Sequence, residues 1–367
     1  MRIAIVHDWL TGTRGGERIL EALCGMFPTA TVFSLLHVPG TVSKTIEEHP
    51  IRTSFAQHLP LVRKHYRLYL PLFPKAIESL DLTGYDLVLS ISHCAAKGAV
   101  PPKGAVSICI CLTPMRYAWD QFDAYFPPRT LRRFLATPFI KRLRKWDRET
   151  SDRVQHFVAI SEFVSMRIKR YYGRKSVVIY PPVDLSRFTV DRNAPEDYYL
   201  IVSAFAPYKR LDIAIEAFRR LDRKLKIIGK GQHERQLRRM APRNVEFLGG
   251  LSDEEVAWHM SRCKALLFPG VEDFGIVPVE ALASGRPVIA FAAGGVLETV
   301  EDGETGVLFA EQTPGAVVQA IHRCENLTFE PERLREAAQR FGGDVFKQRI
   351  GKFISERVAA AGRSREV

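Results

Sequence analysis

In the stretch Ala265-Leu266-Leu267-Phe268-Pro269-Gly270-Val271-Glu272-Asp273-Phe274-Gly275-Ile276-Val277-Pro278-Val279-Glu280-Ala281-Leu282-Ala283, a short apolar run gives way to a turn, two acids and a glycine, and then to a helical pattern from Ile276. A strand that feeds a helix through such a loop is one half of a βαβ unit. Glu272 then lies on the loop at the carboxyl edge of a sheet, and Glu280 one turn into the helix. The first N–H groups of a helix have no partner within it, which makes its start suited to phosphate. Gly275 lets a ligand come close to the backbone. A carboxylate inside the helix can accept two hydrogen bonds from a diol. Two glutamates eight apart would by themselves read as ordinary surface acids. The apolar setting of residues 277–283 sharpens the reading, because a carboxylate there needs a specific partner.

Working outward, the same alternation fills both halves of the chain. Near-continuous apolar runs at 3–7, 31–35, 87–92, 106–111, 157–160 and 177–180 read as parallel strands buried on both faces. The pattern restarts with strands at 199–203, 225–228, 245–248, 265–268, 288–291 and 307–309. Helices are expected at 17–26, 211–221, 234–240, 253–262, 276–284 and 314–324. The fold class is therefore α/β, with two doubly wound, Rossmann-like parallel sheets and a ligand cleft expected between their carboxyl ends. Tyr180-Pro181-Pro182 and the polar residues 191–197 mark the boundary. The expected divisions are 1–182, 183–345, and a C-terminal helix and tail over 346–367 that could pack back on the first domain. A dinucleotide-dependent oxidoreductase would need G-x-G-x-x-G after a strand; Gly229-Lys230-Gly231 is followed by Glu234 where the third glycine should stand.

Apolar residues make up 46% of the 367 and charged residues 26%, a globular composition. No apolar run approaches the roughly 20 residues that span a bilayer, and the N-terminal run is too short for a signal peptide, so a soluble protein on the cytoplasmic side is expected. Cys24, Cys94, Cys109, Cys111, Cys263 and Cys324 are scattered in apolar contexts, as buried small hydrophobes rather than a disulfide or metal framework. The net charge is +12, and all of it lies in residues 1–180, which hold 26 basic and 14 acidic residues. Such asymmetry points to an extended anionic partner. The densest stretch, 129–148, mixes Arg129, Arg132, Arg133, Lys141, Arg142, Arg144, Lys145 and Arg148 with Leu, Phe, Ile and Trp. Pro138 is expected to divide it into two short pieces. A second cluster, Arg63-Lys64-His65-Tyr66-Arg67, precedes Leu68–Phe73. These fit either a solvated face or an interfacial membrane surface, with Arg132, Arg133, Lys141 and Arg142 as the candidate contacts. Signatures of nucleic-acid binding are missing.

Further side chains stand at strand ends. Lys209 follows strand 199–203 near a helix start, where an ammonium can stabilise a leaving diphosphate; a solvated lysine is the plainer alternative. His93 ends strand 87–92 and His7 ends strand 3–7. Each is either a site residue or a structural one. Trp119 and Asp120 are candidates for shaping an acceptor side.

The segment Glu272–Val288 resembles the E-x7-E segment of retaining glycosyltransferase family 4, whose fold is the two-domain GT-B type. The resemblance extends to Gly15-Gly16-Glu17, Tyr180-Pro181-Pro182-Val183-Asp184, Pro207-Tyr208-Lys209-Arg210-Leu211-Asp212, Gly294-Gly295 and Gly303-Glu304-Thr305-Gly306. Thr113-Pro114-Met115-Arg116-Tyr117-Ala118-Trp119-Asp120 resembles a segment of the bacterial mannosyltransferase branch. The resemblance implies that Glu280 holds the donor ribose and Glu272 the donor sugar. It implies that the backbone of Phe274, Gly275 and Ile276 lines sugar and phosphates, that Lys209 with Arg210 neutralises the diphosphate, that Gly16 approaches it, and that the base lies near Gly231. Glu272, Lys209 and His93 are the residues expected to carry the chemistry. Two positions depart from the family pattern: Ala204 stands where an arginine is common, and Leu112 where many members have a histidine.

The resemblance implies a retaining, metal-independent hexosyltransferase without a cofactor, as no Asp-x-Asp triplet is present. Its donor would be a nucleotide-diphosphate sugar, first of all GDP-mannose. Its acceptor would be a lipid-linked saccharide in polysaccharide or lipopolysaccharide assembly, reached by peripheral binding at the inner face of the membrane. A UDP-sugar donor, or a catalytically weak sugar-nucleotide-binding scaffold, are the alternatives.

Overall fold

The computed structural model describes residues 1–191 and 193–363; the side chains of Ala124, Arg132 and Arg363 also lie outside the described residues. Arg132, one of the four expected lipid contacts, is therefore not placed.

The chain divides into two compact units, one of residues 1–182 together with the residues from Asp344 onward, the other Val183–Gly343. The first is built on seven parallel strands: β1 (Ile3–His7), β2 (Thr31–Ser34), β3 (Ile51–Thr53), β4 (Leu87–Ser92), β5 (Val106–Cys111), β6 (His156–Ala159) and β7 (Ser176–Val178). Their order across the sheet is β3-β2-β1-β4-β5-β6-β7. β1, β4 and β5 are buried along their whole length, as their unbroken apolar runs require. β3 has three residues and only partial burial, too little for its sequence to announce it. The C-terminal helix Gly343–Arg363 belongs to this unit, and Phe353 meets the ring of His156 edge-on at 6.2 Å.

The second unit holds β8 (Tyr199–Val202), β9 (Leu225–Ile228), β10 (Val245–Gly249), β11 (Leu266–Phe268), β12 (Val288–Phe291) and β13 (Gly306–Phe309), all parallel. Their order is β10-β9-β8-β11-β12-β13. The helix Leu211–Phe218 buries Leu211, Ile213, Ala214 and Phe218 against this sheet and stops three residues short of the expected end, at Arg219. A helix absent from the sequence reading, Pro331–Gln339, follows Pro331 at its first position.

The strand order reverses once in each sheet, between β1 and β4 and between β8 and β11. At such a point the chains leaving two neighbouring strands turn to opposite faces, and a crevice opens at the carboxyl ends.

The basic stretch corrects one expectation. It forms a single helix, Leu131–Glu149, with Pro138 inside it. Pro138 cannot donate to the carbonyl of Phe134. Both residues are exposed, on the solvent side of the helix, and Thr137 Oγ1 donates to the neighbouring Arg133 carbonyl at 2.7 Å. The opposite face buries Ile140 and Leu143 beside Tyr66, Phe73 and Ile77.

That helix also carries Asp147, fully buried and 2.9 Å from Lys97 Nζ, which is itself buried. Trp119 Nε1 and Tyr172 Oη donate to the same carboxylate at 2.8 and 3.0 Å, and Lys97 donates further to Thr150 Oγ1 at 2.9 Å. All six cysteines are unpaired and buried; burial pushes the thiols of Cys109 and Cys263 up to about 12, so they act as apolar fillers.

Removing one member of a buried pair strands the other charge, at a cost of about 3–5 kcal/mol. Lys97→Met is expected to destabilise the first unit by that amount in urea unfolding followed by tryptophan fluorescence, since Trp9, Trp119 and Trp146 all lie in it. A loss under about 1 kcal/mol would show that Trp119 and Tyr172 alone hold the carboxylate.

Candidate functional site

The second unit gathers its polar side chains at the β8/β11 reversal. β8 leads into the turn Pro207–Lys209, and β11 into the loop 269–275. The two loops press together: a Cβ on Gly270 would lie 2.8 Å from the Cα of Lys209. The Lys209 ammonium is ion-paired with the Glu272 carboxylate, and both side chains are largely buried. The loop itself is seated by glycines from the next strand connection. Gly295 N–H donates to the Glu272 carbonyl at 2.9 Å, and a Cβ on Gly295 would stand 2.4 Å from the Cα of Phe274. The Phe274 ring is turned into the core against Phe341, leaving its backbone at the edge.

Gly275 caps the helix Ile276–Ala283 with φ +89°, a conformation that side chains rarely adopt. Ile276 begins the helix, so its N–H groups face the same loop as Lys209 and Glu272. Glu280 lies half-buried in the second turn. Gly231 is exposed after β9 and tight against the backbone of Phe205. One expected residue turns elsewhere. Arg210 sits in the left-handed region, φ 52°, and its guanidinium lies on Asp212 at 3.1 Å. Gln312, which the sequence reading passed over, holds the site from behind: its Nε2 donates to the Pro269 carbonyl at 2.8 Å.

In the first unit the β1/β4 reversal brings together His7, Asp8 and His93. Asp8 is fully buried. Its Oδ2 accepts from the N–H of His93 at 2.7 Å and of Cys94 at 2.9 Å; its Oδ1 accepts from Ala95 at 2.6 Å and Ala96 at 2.7 Å. His93 Nδ1 also lies 2.9 Å from Oδ2. Burial alone would raise the Asp8 carboxyl, but the adjoining His93 imidazole, its ring N–H and the backbone N–H groups outweigh it and hold it well below the usual carboxylate range. In the sequence Asp8 only follows the apolar run 3–7. An acid closing an apolar run was the signal available.

His7 is buried, with Nδ1 3.1 Å from the Trp9 carbonyl. Its Nε2 has no hydrogen-bond partner among the described residues and faces Gly16, whose missing Cβ would stand 3.2 Å from it and 2.9 Å from Leu112 Cδ1. Gly16 opens the helix Gly15–Met26, where the Arg14 N–H donates to the buried Glu17 carboxylate at 3.0 Å. Leu112 therefore fills, with apolar bulk, the space beside the glycine turn. Burial lowers the pKa of His7 against the opposing pull of Glu17 and Asp8, so the ring stays neutral.

Trp119 and Asp120 are tied into the first unit. Trp119 stacks on Tyr171 at 4.7 Å and gives its N–H to Asp147. Asp120 is bonded to Arg167 and Tyr171, and Arg167 also holds Thr113. These bonds pin the loop 113–120 to the helix Glu162–Tyr172. Of the remaining candidate lipid contacts, Lys141 and Arg142 are exposed, whereas Arg133 is half-buried and bonded to Asp123. No group of three or more potential metal ligands occurs among the described residues.

Comparison with known proteins gives two adjoining family matches: Glycosyltransferase Family 4 over residues 13–187 and Glycosyl transferases group 1 over residues 183–341. The chain is 31% identical over 209 residues to an uncharacterized glycosyltransferase of Methanocaldococcus jannaschii, covering 56% of this chain and 57% of that one. It is 31% identical over 193 residues to the GDP-mannose-dependent alpha-(1-6)-phosphatidylinositol monomannoside mannosyltransferase of Mycolicibacterium smegmatis, covering 44% and 50%. The chain thus spans about half the length of the curated relatives it matches. Among solved structures, sucrose-phosphate synthase of Thermosynechococcus elongatus superimposes with a TM-score of 0.75 at 17% identity over 98% of this chain and 100% of that one, a likeness of fold.

The state of His7 has a measurable consequence. The unfolded chain takes up a proton on this residue near its ordinary pKa of about 6.5, and the folded chain does so only at lower pH. Stability from this group is thus complete above about pH 6.5 and is lost as pH falls toward the folded value, by at most about 1.4 kcal/mol per pH unit. His7→Gln, which cannot titrate, is expected to show a shallower loss of stability than wild type between pH 7.5 and 5.5 in denaturant unfolding. Equal slopes would mean that His7 titrates alike in the folded and unfolded chain, so that burial does not lower its pKa.

Proposed function

The chain belongs to glycosyltransferase family 4, of the two-domain GT-B type, and from that premise we propose that it transfers a hexose from a nucleotide-diphosphate sugar with retention at the anomeric carbon. The observation that carries this reading is the convergence of Lys209, Glu272 and the start of the Ile276–Ala283 helix at the β8/β11 reversal. Lys209 and the helix N–H groups would receive the diphosphate. Glu280 would accept the two ribose hydroxyls. Glu272 would take hydroxyls of the donor sugar once the diphosphate draws Lys209 away from it. In the transfer, the anomeric carbon–phosphate oxygen bond breaks, a bond to the acceptor oxygen forms on the same face, and the acceptor proton passes to the departing diphosphate. Lys209 and the helix start stabilise the charge that builds there, so the reaction is proposed to run without a divalent metal or cofactor.

GDP-mannose is the proposed donor, supported by the segment Thr113–Asp120 and by the GDP-mannose dependence in the name of the Mycolicibacterium relative. The acceptor is proposed to be a lipid-linked saccharide in cell-surface polysaccharide or lipopolysaccharide assembly. The first unit would reach it by docking on the anionic inner leaflet of the membrane. Leu131, Phe134 and Leu135 are 73%, 76% and 66% exposed, on the helix that carries Lys141 and Arg142. Leu68, also exposed, lies in the second basic segment, whose Tyr66 and Phe73 are buried in one cluster with Ile140 and Leu143 of that helix. No described helix is long and apolar enough to cross a membrane.

Two experiments test this reading. Calorimetry with GDP and UDP is expected to rank GDP first. Glu280→Ala should weaken GDP by about 10- to 150-fold, the loss of charge-assisted bonds worth roughly 1.5–3 kcal/mol. GDP release from GDP-mannose should continue in excess EDTA. Unchanged GDP affinity in the variant would remove Glu280 from the site, tighter UDP binding would replace the donor, and a metal-restorable loss in EDTA would overturn metal independence. The second experiment is sedimentation with vesicles of phosphatidylglycerol or of phosphatidylcholine across a salt series. Each engaged Lys or Arg contributes about 1 kcal/mol near an anionic surface, so Lys141→Glu with Arg142→Glu should lower anionic-vesicle binding at least about tenfold at low salt. Undiminished pelleting would make this helix an ordinary solvated face.

A further inference from the structure

Asp8 is bonded beyond what a loop cap requires. Four consecutive backbone N–H groups, from His93 to Ala96, already satisfy its two oxygens. The same Oδ2 that takes the backbone N–H of His93 also lies 2.9 Å from that residue's ring Nδ1. One carboxylate oxygen therefore grips His93 at both ends, and χ1 and χ2 of the imidazole are fixed relative to the strand end. Trp9 closes the third side: its ring meets the imidazole edge-on at 4.5 Å. The consecutive residues His7, Asp8 and Trp9 differ sharply in what they do. His7 turns inward and stays neutral and buried, whereas Asp8 and Trp9 both orient His93, whose side chain is 31% exposed. Asp8 is acceptor-only when ionised, so the atom facing it must be a donor. Nδ1 therefore carries the proton, and in the neutral ring Nε2 carries the lone pair. Among the described residues the bonds of His93 are made by its N–H and Nδ1 and none by Nε2, and the residue stands at the β1/β4 reversal, the edge of the first sheet where a ligand is expected.

We infer that Asp8 is a positioning residue for His93, holding the imidazole so that unprotonated Nε2 is offered to a sugar hydroxyl at the carboxyl edge of the first sheet. This rests on the glycosyl-transfer reading for the identity of the ligand, and on the Asp8–His93 geometry for everything else. It gives the first unit a hydrogen-bond acceptor for a hydroxyl beside the position where Leu112 offers none. It also separates Asp8 from a purely structural carboxylate, which would hold the loop 93–96 equally well beside a glutamine at position 93.

The test uses the full chain and three variants: His93→Gln, Asp8→Asn and the double substitution. Long-range nitrogen–proton correlation spectra at pH 8 assign the His93 ring signals as those lost in His93→Gln. In wild type they should show the proton on Nδ1, and in Asp8→Asn a shift toward Nε2. Kinetics follow GDP release from GDP-mannose with methyl α-mannoside as the acceptor probe. Each single variant should lower kcat at least tenfold with KM for GDP-mannose within about twofold, and the double variant should be no more than twofold below His93→Gln, because Asp8 acts through the ring. Losses that multiply in the double variant, or a fully active His93→Gln, would overturn the role while the transferase reading stands. A wild-type ring protonated on Nε2 would overturn it whatever the activity, and decides the matter if Asp8→Asn does not fold. Wild type that turns over no sugar nucleotide would instead sink the proposed function, and the spectrum would still decide the pairing.

Discussion

Two parallel strands can lie side by side only if the chain returns across a face of the sheet, and a sheet covered on both faces must reverse its strand order somewhere. Each unit does so once, between β1 and β4 and between β8 and β11. At that place no crossover covers the carboxyl ends, and the loops there are free to carry polar groups without being buried by a helix. His7, Asp8 and His93 stand at the first reversal, and Lys209, Glu272 and the glycine-capped helix at the second. The chemistry-bearing residues of both units thus follow from one topological constraint rather than from separate accidents of sequence.

The second reversal also shows how a loop can be fixed without a core of its own. The Gly295 N–H, the Gln312 amide and the close approach of Gly270 to Lys209 seat the loop 269–275 from three sides. Its side chains are then left for electrostatics. The Lys209–Glu272 pair neutralises two charges that would otherwise be costly in a largely buried place. On the proposed reading such a pair would exchange partners, since an incoming dianion can satisfy the ammonium at least as well as one carboxylate can.

Much of this was legible in the sequence because it is local. The strand, glycine loop and helix at 265–283 are all written in neighbouring residues, and the apolar runs of the buried strands need no tertiary knowledge. What escaped was set by distant partners. The tripeptide Ile51–Thr53 became a strand because β2 was there to pair with it. Pro138 read as a break, but the helix runs through it with the proline on its exposed side. The left-handed backbone of Arg210, which lays its guanidinium on Asp212, has no mark in the neighbouring residues. Asp8 gained its meaning from residues 93–96, some 85 positions away. Gln312, in an undistinguished polar run, gained its meaning from Pro269.

The assignment of the Gly343–Arg363 helix to the first unit has a consequence for biogenesis. The ribosome makes residues 1–182 first, yet the last element of that unit emerges only after the whole of Val183–Gly343 has been made. At about 5–20 residues per second, that is a wait of roughly 10–30 s. During it the nascent first unit exposes the surface that Phe353 will later cover beside His156, while the second unit has every one of its strands in unbroken succession. The half of the protein that is synthesised first is the half that is completed last, and the surface around His156 is left open to chaperones in the interval.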